Sequence, residues 1–210
     1  MLRRQPTLRE IEIKLRFEDA SDALKRLHRL GAKPRGRVLE RNTVFDTSDH
    51  ALYSRGRLLR LRVEIPAPTR ECPGGPRREV LTSKAPPPPV AGRLLRRGRY
   101  KERLEREVTV RNARLWPSIL KSLGFRSRFR YEKYRTFFRL PGLHLDMDET
   151  PVGTFLELEG APRAIDRVAR ALGFSPRDYI RGTYWDLYLQ DCRQRGRTPR
   201  DMLFNAKKSL

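Results

Sequence analysis

Ionisable side chains recur at every second position along several short segments of this chain. Glu10, Glu12 and Lys14 alternate with Ile11, Ile13 and Leu15, and Arg60 and Arg62 alternate with Leu59, Leu61 and Val63. Arg103, Glu105 and Glu107 share one parity, as do Tyr131, Lys133 and Arg135, then Asp146 and Asp148, then Glu157 and Glu159; Lys84 closes the segment Leu81-Thr82-Ser83-Lys84. The charges divide into two chemistries. Lys14, Arg60, Arg62, Lys84, Arg103, Lys133 and Arg135 are cations of the kind that hold phosphate oxygens, arginine in bidentate fashion. Glu10, Glu12, Glu105, Glu107, Asp146, Asp148, Glu157 and Glu159 are carboxylates, which raise one another's pKa unless a cation lies between them. Hard divalent ions such as magnesium take carboxylate oxygens together with substrate phosphates. A polyphosphate chain bridging metal to a row of arginines and lysines satisfies both sets at once.

These groups act together only if the backbone brings them to one place. A period of two is the period of a β-strand, whose side chains point to opposite faces in turn. In an open sheet the charged face would lie flat in solvent. In a closed one it lines a channel, and a charged channel is costly unless its charges pair or coordinate something. About eight strands enclose room for side chains or one small ligand. Helical spacing falls between the strands: Asp19 to Leu30 before Gly31, Asn112 to Leu123 before Gly124, Pro162 to Leu172 before Gly173, and a last helix opened by Ser175-Pro176 that carries Tyr179, Ile180, Tyr184, Leu187 and Tyr188. The expected fold is α+β: a closed eight-stranded antiparallel β-barrel, or tunnel, with a charged lumen and helices packed outside. A weak internal echo, charged strand then helix then Leu-Gly, divides the strands four and four. The proline-rich stretch 66–98 reads as loops inside one domain, with the short strand ending at Lys84 among them. That domain is expected to span 1–196, with a loosely attached tail at 197–210 in which Met202, Leu203 and Phe204 are able to dock.

Composition narrows the class. Lys+Arg number 47 against 25 Asp+Glu in 210 residues, a net charge of +22, which favours an anionic partner. No apolar run approaches the roughly 20 residues that span a bilayer, and Met1 to Pro6 lack the apolar stretch of a secretory signal. Cys72 and Cys192 are too few for a disulfide framework and lack C-x-x-C spacing. His28, His50 and His144 have no mutual ligand spacing. A cytoplasmic protein with no membrane partner is expected.

The same residues resemble the CYTH superfamily, the triphosphate tunnel metalloenzymes, which includes class IV adenylate cyclases, thiamine triphosphatases and inorganic triphosphatases. Glu10, Glu12 and Lys14 match its E-x-E-x-K signature. Gly56 to Arg62 resembles its G-x-x-L-R-L-R strand, Leu81 to Lys84 the strand ending in a substrate lysine, and Arg103, Glu105 and Glu107 its R-x-E-x-E strand. Lys133-Tyr134-Arg135 matches K-x-R, and Asp148 to Glu159 resembles its D-E-T-P-x-G…E-x-E close. The resemblance implies dependence on Mg2+ or Mn2+ and a triphosphate-containing partner: tripolyphosphate, ATP or thiamine triphosphate. It implies phosphate binding by Lys14, Arg60, Arg62, Lys84, Arg103, Lys133 and Arg135. It implies metal ligation, direct or through water, by Glu10, Glu12, Glu105, Glu107, Asp148, Glu157 and Glu159; Asp146 has the parity without a family role. Glu12, Lys14 and Glu157 are the candidate catalytic residues, Glu12 or Glu157 aligning the attacking water.

The function expected is that of a divalent-metal-dependent triphosphatase. The alternatives are a class IV-type adenylate cyclase, in which a ribose hydroxyl replaces water, and a non-catalytic binder of polyphosphate or nucleotide. A third alternative, nucleic-acid binding, rests on Arg93, Arg96, Arg97, Arg99, Lys101, Arg128 and Arg130 with Tyr100, Phe129 and Tyr131 nearby.

Overall fold

The structure, a computed structural model, describes residues 8–88 and 98–205. Eight strands close into an antiparallel barrel: β1 (Leu8–Phe17), β2 (Pro34–Asp46), β3 (Leu58–Pro66), β4 (Arg78–Ala85), β5 (Lys101–Thr109), β6 (Arg126–Leu140), β7 (Leu143–Thr150) and β8 (Gly153–Gly160), in the order β1-β5-β4-β3-β2-β6-β7-β8. Outside it lie α1 (Ala20–Arg29), α2 (Ala51–Ser54), α3 (Trp116–Ser122), α4 (Pro162–Ala171) and α5 (Tyr184–Gln194). The expected tunnel is therefore present, and the Lys84 segment is a full barrel strand between β3 and β5.

Register fixes which side chains face inward, because a one-residue slip would exchange the two faces. Lys14 lies opposite Glu157, Asn42 opposite Arg62, Glu40 opposite Lys133, and Lys84 opposite Glu105. The alternate residues form the apolar core on the outside of the barrel. Ile13, Leu15, Leu145, Met147, Leu156 and Leu158 pack under α1 and α4, against Ala23, Leu27, Ile165 and Val168. Phe45 and Leu61 pack under Leu120 and Trp116 of α3. Asp19 caps α1 by accepting from the Asp22 N–H, and Gly31, at φ 73°, turns the chain back toward β2.

Two local expectations change. The last helix does not begin at Ser175-Pro176: Pro176–Asp178 form one 3-10 turn, and the chain then runs extended. Ile180 exchanges two backbone hydrogen bonds of 2.9 Å with Lys14. The reason lies at the barrel wall. β5 reaches only as far as Lys101, paired to Glu12, and Ile180 takes over the next backbone groups of β1. The helix starts after Thr183, whose hydroxyl accepts from the Asp186 N–H in a capping box. The described part of the tail, residues 197–205, is not loosely attached either, and residues 206–210 lie outside the described residues. Met202 is buried and exchanges backbone bonds with Arg130 and Glu132, and Phe204 packs on Tyr134. Of the connecting stretch, residues 66–77 fold against β2, with Gly75 lying against Val38; residues 89–97 lie outside the described residues.

Candidate functional site

All eight strands contribute charge to the lumen, and together they supply both signs. Lys14, nearly fully buried, lies 3.3 Å from Glu12 and 3.2 Å from Glu157. Lys84 reaches Glu10 at 2.7 Å and Glu105 at 3.1 Å. Arg60 donates to the Tyr131 hydroxyl at 3.1 Å and lies 3.6 Å from Glu107. Arg62 spans Glu40 at 3.1 Å, Glu64 at 3.3 Å and Glu107 at 2.8 Å. Lys133 and Arg135 converge on Asp148, at 2.7 and 2.6 Å, and Arg135 also meets Asp146 at 2.8 Å and Glu157 at 2.6 Å. Five of the seven expected cations are thus joined by one chain of ion pairs, and Lys84 holds its own pairs with Glu10 and Glu105 in the same lumen. Arg103 departs from this network: its guanidinium donates to the Gly56 carbonyl in the β2–β3 connection.

Several members of the network were not among the expected site residues. Glu40 is fully buried and pairs with Arg62, Lys133 and Arg135. Glu64 continues the Arg60 and Arg62 face, and Lys101, one parity step before Arg103, lies 2.7 Å from Glu12. The same alternation that flagged their neighbours covers Glu64 and Lys101, whereas Glu40, between Leu39 and Arg41, carries no such pattern. Tyr184 at the start of α5 donates to Asp148 at 2.5 Å, with Lys14 and Lys133 over its ring at 5.4 and 4.8 Å. With Phe129, Tyr131 and Phe155 it belongs to an aromatic cluster that joins α5 to the lumen wall. The nucleic-acid reading loses its described parts here. Lys101 is in the lumen, Phe129 and Tyr131 are buried, Arg128 is tied to the Thr47 and Ser48 carbonyls, Arg130 to Asp201 and Arg99 to Asp166. Arg93, Arg96 and Arg97 lie outside the described residues.

The electrostatics sort the acids into two kinds. Burial alone would raise Glu12, but Lys14 and Lys101 outweigh it and hold the carboxyl well below its usual range. Lys133, Arg62 and Arg135 do the same for Glu40, and Lys14, Arg135 and Lys133 for Glu157. Lys14 is correspondingly held above the ordinary lysine value despite its burial, by Glu12 and Glu157. Lys101 goes the other way, down to about 8, because burial and the neighbouring Lys14 ammonium outweigh its bond to Glu12. Glu159 is pushed up to about 7 by burial and by Glu10, Asp146 and Glu105, and Asp146 to about 6 by burial and by Asp148 and Glu157 despite Arg135.

Among the described residues no group of three or more His, Cys, Asp or Glu side chains is set to hold a metal ion; the acids turn instead toward lysines and arginines. The donor chemistry nevertheless fits a hard divalent cation. Glu159 lies in the field of Glu10, Asp146 and Glu105, and a cation among them would relieve the repulsion that raises its pKa. The cationic side fits an anion in the same way: the Nε atoms of Arg60 and Arg62 are buried with no acceptor among the described residues.

The model of the CYTH domain matches residues 8–184. The chain belongs to the CYTH family. Solved CYTH-like structures superpose over most of its length. A candidate adenylate cyclase of Vibrio parahaemolyticus is 18% identical, with 87% of this chain and 98% of that one covered and a TM-score of 0.66. The PH1819 protein of Pyrococcus horikoshii is 20% identical, with coverage of 87% and 99% and a TM-score of 0.68. A candidate adenylyl cyclase of Hippeastrum, described as having a dominant triphosphatase activity, is 20% identical, with coverage of 90% and 97% and a TM-score of 0.57. At these identities the likeness is one of fold. No curated protein sequence matches significantly. CYTH proteins include triphosphatases and class IV adenylate cyclases and are generally dependent on divalent metal, and among the described residues no helix is long and apolar enough to cross a membrane.

Proposed function

We propose that this CYTH protein is a divalent-metal-dependent phosphohydrolase acting on a triphosphate-containing substrate held inside the barrel. One observation carries the reading: cations from β1, β3, β4, β5 and β6 meet in one enclosed lumen, beside carboxylates whose mutual repulsion calls for a metal. Lys14, Arg60, Arg62, Lys84, Lys133 and Arg135, joined by Lys101, would hold the phosphate oxygens and offset charge on the leaving group as it develops. Glu10, Glu105, Glu107, Glu157 and Glu159 are the proposed metal donors, directly or through water, with Glu12 beside them. When bound, Mg2+ or Mn2+ supplies charge neutralisation at phosphate oxygens and a lowered water pKa. Asp148 is better suited to positioning than to ligation, because its oxygens are occupied by Lys133, Arg135 and Tyr184.

Glu12 and Glu157 remain ionised at neutral pH, so they accept hydrogen bonds from an attacking water and set its line of approach. The water oxygen bonds to the terminal phosphorus, the bond to the bridging oxygen breaks, and tripolyphosphate becomes orthophosphate and diphosphate. Arg103, tied to Gly56, is left a place at the rim rather than on the chain of phosphates.

The test is a substrate panel of tripolyphosphate, ATP and thiamine triphosphate with Mg2+ or Mn2+, and product identification by phosphorus NMR. Metal-dependent release of orthophosphate is expected. Conversion of ATP to cyclic AMP and diphosphate would replace hydrolysis by cyclisation, and tight binding in chelator without turnover would make the protein a binder.

A further inference from the structure

The outer surface of α3 carries a feature that the lumen chemistry does not use. Leu115, Ile119 and Leu123 are 57%, 45% and 67% exposed. The Ile119 N–H donates to the Leu115 carbonyl at 3.2 Å and the Leu123 N–H to the Ile119 carbonyl at 3.3 Å. Each is therefore one helical turn beyond the last, and the three form a row along one face. The adjoining face, with Leu120 and Trp116, packs on Phe45 and Leu61 of the barrel wall. The helix is thus apolar on two adjoining sides and covered on one. From Val110 to Tyr131 the chain carries Arg111, Arg114, Lys121, Arg126, Arg128 and Arg130 and no acidic residue. Arg111, Arg114, Lys121 and Arg126 are exposed, and no carboxylate pairs with any of them among the described residues.

We propose that this face docks the protein on an anionic lipid bilayer, with the row of Leu115, Ile119 and Leu123 entering the headgroup layer and the surrounding cations meeting the lipid charge. Charge decides the occupant. A second copy would set one uncompensated basic surface against another on a chain of net charge +22. An anionic bilayer offers the opposite charge with hydrocarbon directly beneath it, which is what a helix with an apolar ridge and basic flanks recognises. The ridge stands out from the barrel on a helix too short to span, so the contact is peripheral. The expectation of no membrane partner rested on the lack of a spanning segment and does not bear on such a contact. The inference is independent of the hydrolase reading.

The test is cosedimentation of the full chain with phosphatidylcholine vesicles, with and without about 30% phosphatidylglycerol. Binding is expected only to the anionic vesicles. The triple variant L115S/I119S/L123S keeps every charge and alters only exposed positions; it is expected to lose roughly tenfold in partition coefficient while keeping the wild-type circular dichroism spectrum and Tm. Arg114→Glu with Lys121→Glu should weaken binding in the same way. Retention of full vesicle binding by the serine variant would reduce the effect to bulk charge and overturn the proposal. So would indifference of the wild type to anionic vesicles, or a lipid-free dimer that depends on the ridge.

Discussion

Asp148 offers the sharpest test of how the lumen is held together. Its side chain is fully buried and accepts from Lys133 at 2.7 Å, from Arg135 Nε at 2.7 Å and Nη2 at 2.6 Å, and from the Tyr184 hydroxyl at 2.5 Å. Asp148→Asn preserves the shape but removes the charge, and it turns one acceptor into a donor that faces other donors. Lys133, itself 1% exposed, then keeps, among the described residues, only Glu40 at 3.5 Å as an ionic partner. Breaking a buried ion pair from one side costs about 3–5 kcal/mol, because the remaining charge is left poorly compensated. For a domain of this size each kcal/mol moves Tm by about 2–4 °C, so the variant should melt roughly 6–20 °C below wild type. Calorimetry with and without Mg2+ measures this. Coupling can be read from the double variant Asp148→Asn with Lys133→Met, which should recover part of the loss. A single variant whose Tm stays within about 2 °C of wild type would refute the reasoning, since water or other acids would then be compensating Lys133 and Arg135.

Arg60→Ala should lower kcat/KM for tripolyphosphate by roughly 10²–10³-fold with circular dichroism unchanged, whereas Arg103→Ala should change it by less than about fivefold, because Arg103 is tied to the Gly56 carbonyl; equal losses would return Arg103 to the phosphate site. Lys101→Gln should cost roughly tenfold in kcat/KM, and a wild-type rate would leave Lys101 a structural partner of Glu12 only. Glu159 and Asp146, raised to about 7 and about 6, bind protons more tightly in the folded state. Their contribution to stability is complete below the unfolded pKa values and is lost as pH rises through about 6 and about 7. In chelator, Tm should therefore fall between about pH 5 and pH 8, and Glu159→Gln should flatten that slope; a flat wild-type profile would remove the carboxylate cluster from the account.

How far the sequence carries depends on the range of the interaction. The lumen face was legible because alternation is a local property: once Glu10, Glu12 and Lys14 occupy one parity, any strand geometry puts them on one side. Glu64 and Lys101 obey the same rule, whereas Glu40 lies between Leu39 and Arg41 on a strand without charged alternation, and only the pairing of β2 with β3 and β6 shows its place. Tyr184 is expected from its helix to pack in the core or to border the tunnel, and it borders the tunnel, but alternation does not decide between the two. Its place over Lys14 and Lys133 depends on where α5 docks, which no local pattern encodes. The start of the last helix failed for a related reason. Ser175-Pro176 is a sound local helix start, but Ile180 is drawn into backbone pairing with β1 beyond the end of β5, and the helix waits for Thr183. On α3 the sequence shows one broad apolar arc; only the packed barrel decides that Leu120 goes inward and Leu123 outward. The partnering of individual acids and cations likewise requires the closed ring, since Lys84 meets Glu10 across the intervening β5.

Closure also explains why one lumen needs both charge signs. With the cations engaged by acids, as the distances show, each sign offsets the desolvation of the other. A triphosphate entering this space would compete with carboxylates for the same guanidinium and ammonium groups. Carboxylates that lost their partners would face one another in a low-dielectric interior, the condition that already raises Glu159. That state is tolerable only with a divalent cation among them. On the proposed reading, anion and metal therefore bind with a favourable coupling free energy, and by linkage each strengthens the other equally. On the same reading Asp148 stands apart from this exchange: enclosed by Lys133, Arg135 and Tyr184, it would hold the cations in place while Glu10 and Glu157 change partners.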